Sequence, residues 1–424
     1  MSSKQEQILE AILDIGEIML VAGAEISRVE DTMTRISAAY GFTKADVYAI
    51  PTAIIVTVGD AEGKILTQSR RITGASADLT LVEKCNALSR RVCKSPMKLE
   101  DLQASVKEIR ETKAFPEWSL FFGYGVMCFG FSIYFGGKIQ DAVCAGLCGL
   151  LLWVLQKIFH KLQMQDMVTL LLSSLVIGLV AGGMTWLGVG LSTDKVILGT
   201  IMPMIPGLAL VSALRDMING DSTSGVTGLL AALVRAMLIA VGFGMAMLWW
   251  SRHGLDVRTV IVNRTVKQHI EGTLIPCMLA CAAYGITFHV TGWKKYGAIM
   301  LGSGLGYVAS ILVQQQTNSA GMAALVGTLV ILVSGEVFVR ILKTPLTVLM
   351  VPMLMALIPG GDLYRATVNI VLGDGEMMSH FVQLVSVEAA GMAFAIILEA
   401  SCMQMGFRIW KTVFEKKGKA EWKK

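Results

Sequence analysis

Apolar positions in the first 115 residues recur with two different periods. Residues 4–22 and 26–39 carry them at helical spacing, interrupted near Gly23, whereas Asp46 to Asp60 and Lys64 to Ile72 are β-rich and flank Gly59, Asp60 and Gly63. Asp78 is suited to cap a helix running to about Cys93, and a charged helix over Glu100 to Lys113 completes the order ααββαα. The β segment is short and amphipathic, so this domain is expected to lean on another surface, its own membrane part or a second copy. From Phe115 the pattern changes to apolar runs of the roughly 20 residues needed to cross a hydrocarbon core. Ten are read, at 117–136, 139–159, 167–190, 195–218, 223–249, 270–291, 296–313, 319–342, 346–372 and 377–405.

Charge placement sharpens this picture. There are 31 charged residues in 1–115, 29 in 116–405 and 9 in the last 19. The long middle section is too poor in charge to face water as a globule. The predicted fold is an all-α polytopic membrane domain of about ten transmembrane helices, preceded by a small α+β cytoplasmic domain. The expected parts are a soluble domain at 1–114, a first membrane repeat at 115–250, a connection at 251–269, a second repeat at 270–406 and a basic tail at 407–424. With the soluble domain in the cytoplasm, Lys157, Lys161, Lys294, Lys295, Arg340, Lys343 and the tail all face inward, and both termini are cytoplasmic. The connection breaks the rule, since Arg252, Arg258, Arg264 and Lys267 fall outside by the same count. The opening MSSKQEQILEAILDIGE has acids where a signal peptide has its apolar core, so no cleaved signal is expected. The tail reads as an anchor at anionic headgroups and not as a nucleic-acid site.

The chain also repeats itself. Ile205-Pro206-Gly207 and Gly220-Asp221 return as Ile358-Pro359-Gly360 and Gly373-Asp374, both at a spacing of 153 residues. Each half then holds five spans, and an odd number forces the second half to be inverted relative to the first. Proline removes a backbone donor and glycine permits unwinding, so Pro206-Gly207 and Pro359-Gly360 predict a pair of broken helices at mid-membrane. Such backbone survives in a bilayer only where it is buried in protein or lines a cavity.

Candidate chemistry follows from the breaks and from charges within the spans, which are costly in hydrocarbon. The expected substrate site comprises Pro206, Gly207, Pro359, Gly360, Gly361, Asp362 and Arg365. Free N–H groups of the half-helix after each break suit a carboxylate, and Asp362 an ammonium group. Arg235 and Glu388, also 153 residues apart, are the expected coupling pair. The competing reading of these charges is a closed buried ion-pair network without a ligand. Cys144/Cys148 and Cys277/Cys281 are spaced i,i+4 with no further ligands nearby, which favours helix packing over a metal. The run Gly302-Ser303-Gly304-Leu305-Gly306 likewise reads as close packing. Glu17, Glu25, Arg28, Glu30 and Asp31 read as a solvated acidic stripe. No catalytic residue, metal or cofactor is expected, because residues 1–115 hold no histidine and no nucleophile–base set.

Gly16-Glu17, Gly23-Ala24-Glu25 and Arg28-Val29-Glu30-Asp31, followed by Pro51-Thr52 and Asn86-Ala87-Leu88-Ser89-Arg90, resemble the N-terminal signature of the threonine/serine exporter family. The two Ile-Pro-Gly … Gly-Asp units resemble that family's membrane halves, so the resemblance spans nearly the whole chain. In some bacteria the halves are separate proteins associated with succinate export; here they look fused. The resemblance implies a multi-pass exporter in the plasma membrane with the soluble domain cytoplasmic. Its partners would be a small-molecule substrate, the lipid bilayer and protons, with no nucleic acid and with a homo-oligomer left open. Three functions are set side by side. They are proton-driven secondary export of threonine, serine or similar amino acids, export of a dicarboxylate such as succinate, and a membrane-anchored enzyme or sensor acting through its soluble domain. The absence of a Walker motif speaks against direct ATP drive.

Overall fold

The computed structural model describes residues 4–60, 62–74, 78–112, 115–218, 222–255 and 270–421. Gly220-Asp221, the basic connection from 256 to 269 and the side chains of the basic tail lie outside the described set. The chain divides into two compact units. The first joins residues 1–123 to two short segments, 284–297 and 339–352; the second holds 124–283, 298–338 and 353–424.

In the first unit, α1 (Lys4–Val21) and α2 (Ile26–Ala39) precede strands β1 (Lys44–Ile50), β2 (Ala53–Gly59) and β3 (Ile65–Arg71), and α3 (Leu79–Lys94) and α4 (Leu99–Arg110) follow. The expected single β segment from Asp46 to Asp60 is two strands, so the order is ααβββαα. Pro51 lacks the N–H a ladder needs, and Pro51-Thr52 turns the chain between the paired residues Ile50 and Ala53. The antiparallel sheet runs β1-β2-β3. Ala49, Ile54, Val56 and Val58 are buried, together with Leu9, Ile12, Ile15 and Met19 of α1, Met33 and Ile36 of α2, and Val82 and Leu88 of α3. Asp78 caps α3 by accepting from the backbone of Thr80 and Leu81.

The acidic stripe is not simply solvated. Asp14 and Glu17 share Arg70 at 2.7 and 2.6 Å, with Arg110 at 3.4 and 3.3 Å, and Glu30 accepts from the amide of Ala49 at 2.8 Å. These bonds tie α1 to β3 and α2 to β1. Cys85 lies in the core, where burial pushes its thiol up to about 12. At pH 8 maleimide should therefore label the exposed Cys93 and spare Cys85 until denaturant is added. Equal labelling rates for the two thiols by peptide mass spectrometry would contradict the packed core.

The remaining helices are α5 (Glu117–Tyr134), α6 (Ile139–Lys161), α7 (Asp166–Trp186), α8 (Thr193–Ile201), α9 (Gly207–Ile218) and α10 (Ser222–Arg252). After the connection come α11 (Ile270–Thr287), α12 (Trp293–Thr317), α13 (Ala320–Leu342), α14 (Leu346–Leu354), α15 (Gly360–Leu372) and α16 (Gly375–Glu421). Seven of the described helices, α6, α7, α10, α11, α12, α13 and α16, are long and apolar enough to cross a membrane. The runs at 195–218 and 346–372 are each two short helices instead of one. Residues 202–206 and 355–359 interrupt them, and the second helix of each pair begins at the glycine after the proline. Helix starts fall in pairs, Glu117 with Ile270, Ile139 with Trp293, Asp166 with Ala320, Thr193 with Leu346, Gly207 with Gly360 and Ser222 with Gly375. Every pair is separated by 153 or 154 residues.

The two breaks touch each other reciprocally in the second unit. The side chain of Ile358 sits where a Cβ on Gly207 would be, and Ile205 and Met202 lie 3.4 and 3.1 Å from the equivalent point on Gly360. Around them Leu210, Ala232 and Ala236 pack in one cluster with Leu363, Val385 and Ala389, their own counterparts 153 residues on. Small residues let other helices approach closely: a Cβ on Gly130 would lie 2.6 Å from the carbonyl oxygen of Pro276, and one on Gly306 2.9 Å from that of Gly327. Cys144, Cys148, Cys277 and Cys281 are buried within this packing.

Candidate functional site

Each broken helix contributes one buried carboxylate to a single cluster. Asp194 stands in the first turn of α8, and Asp362 and Arg365 lie one turn apart in α15. The Arg365 guanidinium places one terminal nitrogen 3.5 Å from Asp362 and the other 3.5 Å from Asp194, whose same oxygen is 3.4 Å from the Lys195 ammonium. The Asp194, Asp362 and Arg365 residues retain only 4, 8 and 8% of their exposure. Two acids and two bases balance, as burial in low dielectric requires.

The cluster is held from behind. Asp141, buried in the first turn of α6, accepts from Leu191 at 2.7 Å, from Ser192 at 2.8 Å and from Lys138 at 3.1 Å, which fixes the loop leading into α8. Asn369 donates to the carbonyl of Arg365 at 2.8 Å, and the ring of Phe381 lies 5.8 Å from the guanidinium carbon. Tyr364 meets Phe243 edge to face. Phe135 and Leu198 wall Gly361 at 2.8 and 3.4 Å from a would-be Cβ.

Among the described residues, three polar atoms of the cluster region are buried without a hydrogen-bond partner: Asp194 Oδ1, Arg365 Nε and Thr193 Oγ1. Leaving such atoms unmade costs about 1–3 kcal/mol each, so they mark where a polar ligand or water would be accepted. The break at 355–359 is partly satisfied from outside its own helix, since the Tyr134 hydroxyl donates to the carbonyl of Ala356 at 2.7 Å. The Tyr134 ring meets that of Tyr307 at a tilt of 52° with 5.2 Å between centroids, and Tyr307 bonds Thr273 at 2.7 Å.

Among the residues expected from the sequence, Pro206, Gly207, Pro359 and Gly360 come together at the facing breaks, and Gly361, Asp362 and Arg365 follow directly. Arg235 and Glu388 are not brought together: Arg235 is exposed on α10, Glu388 is half-buried on α16, and no ion pair joins them among the described residues. Asp194, Lys195 and Asp141 were not legible as site residues. Asp194 and Lys195 sit at the edge of an apolar run, where charges ordinarily mark an interface; the available signal was their place in the turn leading into the first broken helix. Among the described residues no group of three or more His, Cys, Asp or Glu side chains is placed to hold a metal.

Residues 10–250 match the family model described as "Putative threonine/serine exporter", and residues 273–402 match a second, "Threonine/Serine exporter, ThrE". A "probable succinate transporter subunit" of Klebsiella aerogenes is 21% identical over 253 residues, covering 59% of this chain and 97% of that protein. A "probable threonine/serine exporter" of Mycobacterium tuberculosis is 20% identical over 381 residues, 87% of this chain and 71% of its own length. "Pheromone-regulated membrane protein 10" of Pichia sorbitophila is 18% identical over 381 residues, 87% of this chain and 38% of the yeast protein. No solved structure matches.

Proposed function

The chain belongs to the threonine/serine exporter family, and we propose from its site that it is a secondary active exporter of small amino acids, threonine and serine among them, driven by protons across the plasma membrane. The observation that carries the substrate is the charge balance around Arg365. Asp194, Asp362, Arg365 and Lys195 sum to zero, and among the described residues the buried charged atoms of this cluster without a hydrogen-bond partner are one acceptor, Asp194 Oδ1, and one donor, Arg365 Nε. A zwitterion brings an ammonium for the first and a carboxylate for the second, and leaves the balance unchanged. A dianion needs two positive charges that this cluster has already committed to its own acids. The succinate reading draws its support from the named function of the Klebsiella relative. A membrane-anchored enzyme or sensor, the remaining reading, would draw its chemistry from residues 1–115, where the sequence holds no histidine.

The proposed architecture is ten spans in two inverted halves, counting α5, the seven long helices and the two broken pairs. Reciprocal contacts support a two-fold relation, since Ile205 on Gly360 and Ile358 on Gly207 are each other's counterparts, as in any self-complementary interface. The composition of the first unit supports the inversion. The soluble domain groups with 284–297 and 339–352, which the ten-span count puts on its own side, whereas the counterpart loops 135–138 and 187–192 belong to the other unit. Both termini would then be cytoplasmic.

Glu388, half-buried on α16, is proposed to carry the coupling proton, while Asp362 serves the substrate. In proteoliposomes loaded with labelled threonine, serine or succinate, threonine and serine should leave fastest, and faster under an inward proton gradient. Glu388→Gln should keep exchange and lose pH-driven accumulation; Asp362→Asn should lose both. Succinate efflux outrunning both amino acids would hand the function to the dicarboxylate reading, and an unchanged pH response in Glu388→Gln would remove the coupling role.

A further inference from the structure

The two halves fix the start of their broken helices by different means. In the first half the work is internal. The turn after α5 takes its left-handed residue as Gly136 (φ 86°), Asp141 in the third position of α6 grips the loop ahead of α8, and that loop offers the backbone N–H groups of Leu191 and Ser192. In the second half all three counterparts are altered. The left-handed residue after α11 is His289 (φ 56°), the third residue of α12 is Lys295, and the loop ahead of α14 reads Thr344-Pro345, so the N–H matching Ser192 does not exist. A β-carbon in that left-handed conformation costs roughly 1–2 kcal/mol, so His289 is a departure that its surroundings must sustain.

What sustains it comes from the soluble domain. Within the first unit, Asp78 Oδ2 lies 3.0 Å from His289 Nδ1, Leu79 N–H donates to the carbonyl of Phe288 at 3.0 Å, and the Thr80 hydroxyl donates to the carbonyl of His289. Phe115 stacks on the His289 ring. One turn along α3, Glu83 spends its two oxygens on two different segments: one pairs with the Lys295 ammonium, the other accepts from the Thr344 hydroxyl at 2.9 Å. Glu83 thus joins α12 to the loop before α14, the same two places that Asp141 joins in the first half.

We infer that Glu83 is a positioning residue of the exporter: it supplies from the soluble domain the carboxylate staple that the first half carries in its own chain as Asp141. One half is fastened from within its own helices and loops, the other from the N-terminal domain. Thr344 stands two residues before α14, which leads through the break to Asp362 and Arg365, so Glu83, one turn along α3, holds the second broken helix at its root. Its consequence for turnover rests on the transport reading; the staple itself does not.

The test uses the full chain in proteoliposomes, with hydrogen exchange of residues 341–346 and exchange of labelled threonine measured together. Glu83→Ala should speed hydrogen exchange there at least tenfold and lower threonine turnover at least fivefold, with half-saturation within twofold, because the binding cluster is untouched. Moving the first half's device into the second, Lys295→Asp with Pro345→Ser on the Glu83→Ala background, should recover most of the protection. Glu83→Gln keeps an acceptor for Thr344, loses the ion pair and should fall between; it also serves if the alanine variant folds poorly. Unchanged protection in Glu83→Ala overturns the staple, and lost protection with unchanged turnover overturns its positioning role. A wild-type chain that moves no threonine overturns the transport reading, while the hydrogen-exchange arm still decides the staple.

Discussion

Arg365→Ala should leave no measurable threonine exchange and should lower the stability of the detergent-solubilised protein by about 3–5 kcal/mol, the usual cost of removing one partner from a buried ion cluster. Asp194 and Asp362 would then lose the cation they share in a poorly solvated interior, and Lys195 would remain beside Asp194. Arg365→Lys keeps the charge and loses the fork that reaches both acids at once, so it should retain most of the stability and lose on the order of a hundredfold in exchange. Replacing the set by neutral groups, Arg365→Met with Asp194→Asn and Asp362→Asn, separates the two roles. That variant should melt close to the wild type and still fail to exchange. A neutral triple variant that transports would show the charges to be a structural clasp, and so would Arg365→Ala with near-normal exchange.

The sequence made the breaks legible because they rest on local covalent facts. A proline without an N–H followed by glycine ends a helix whatever surrounds it, and the repeat of Ile-Pro-Gly at 153 residues located both. The Asp362–Arg365 half of the cluster was legible for a similar reason, since charges deep in an apolar run stand out. Asp194 was not, because its burial depends on a loop that Asp141 pins from another helix, a contact 50 residues or more away in the chain. The same limit applies to Arg235 and Glu388. Their spacing matches the repeat, yet symmetry relates positions and does not make them neighbours, and neither side chain reaches the other in the structure. In the N-terminal α/β region the strand boundary at Pro51 has a local cause, a residue that cannot donate to a ladder, whereas the contacts of Glu83 and His289 are tertiary and carry no spacing of their own.

Gly207 should be the less tolerant of the two break glycines, despite its equivalence to Gly360. A methyl group on Gly207 runs into Ile358, a β-branched side chain with little freedom to turn aside, whereas one on Gly360 meets Met202 at 3.1 Å and Ile205 at 3.4 Å. The flexible thioether can yield where the isoleucine cannot. Overpacking of this kind costs about 1–3 kcal/mol, and here it would also separate the breaks whose contact joins the two halves. Gly207→Val is therefore expected to abolish threonine exchange and Gly207→Ala to lower it at least tenfold, with Gly360→Ala within about threefold of wild type. Trimming the opposing side chain should rescue: Ile358→Ala on the Gly207→Ala background should recover most of the exchange that Gly207→Ala loses, because the volume added on one break is removed from the other. The measurement is a double-mutant cycle on exchange rate and melting temperature. Additive losses, or Gly360→Ala proving the more damaging substitution, would mean that the breaks do not pack on each other in the working transporter.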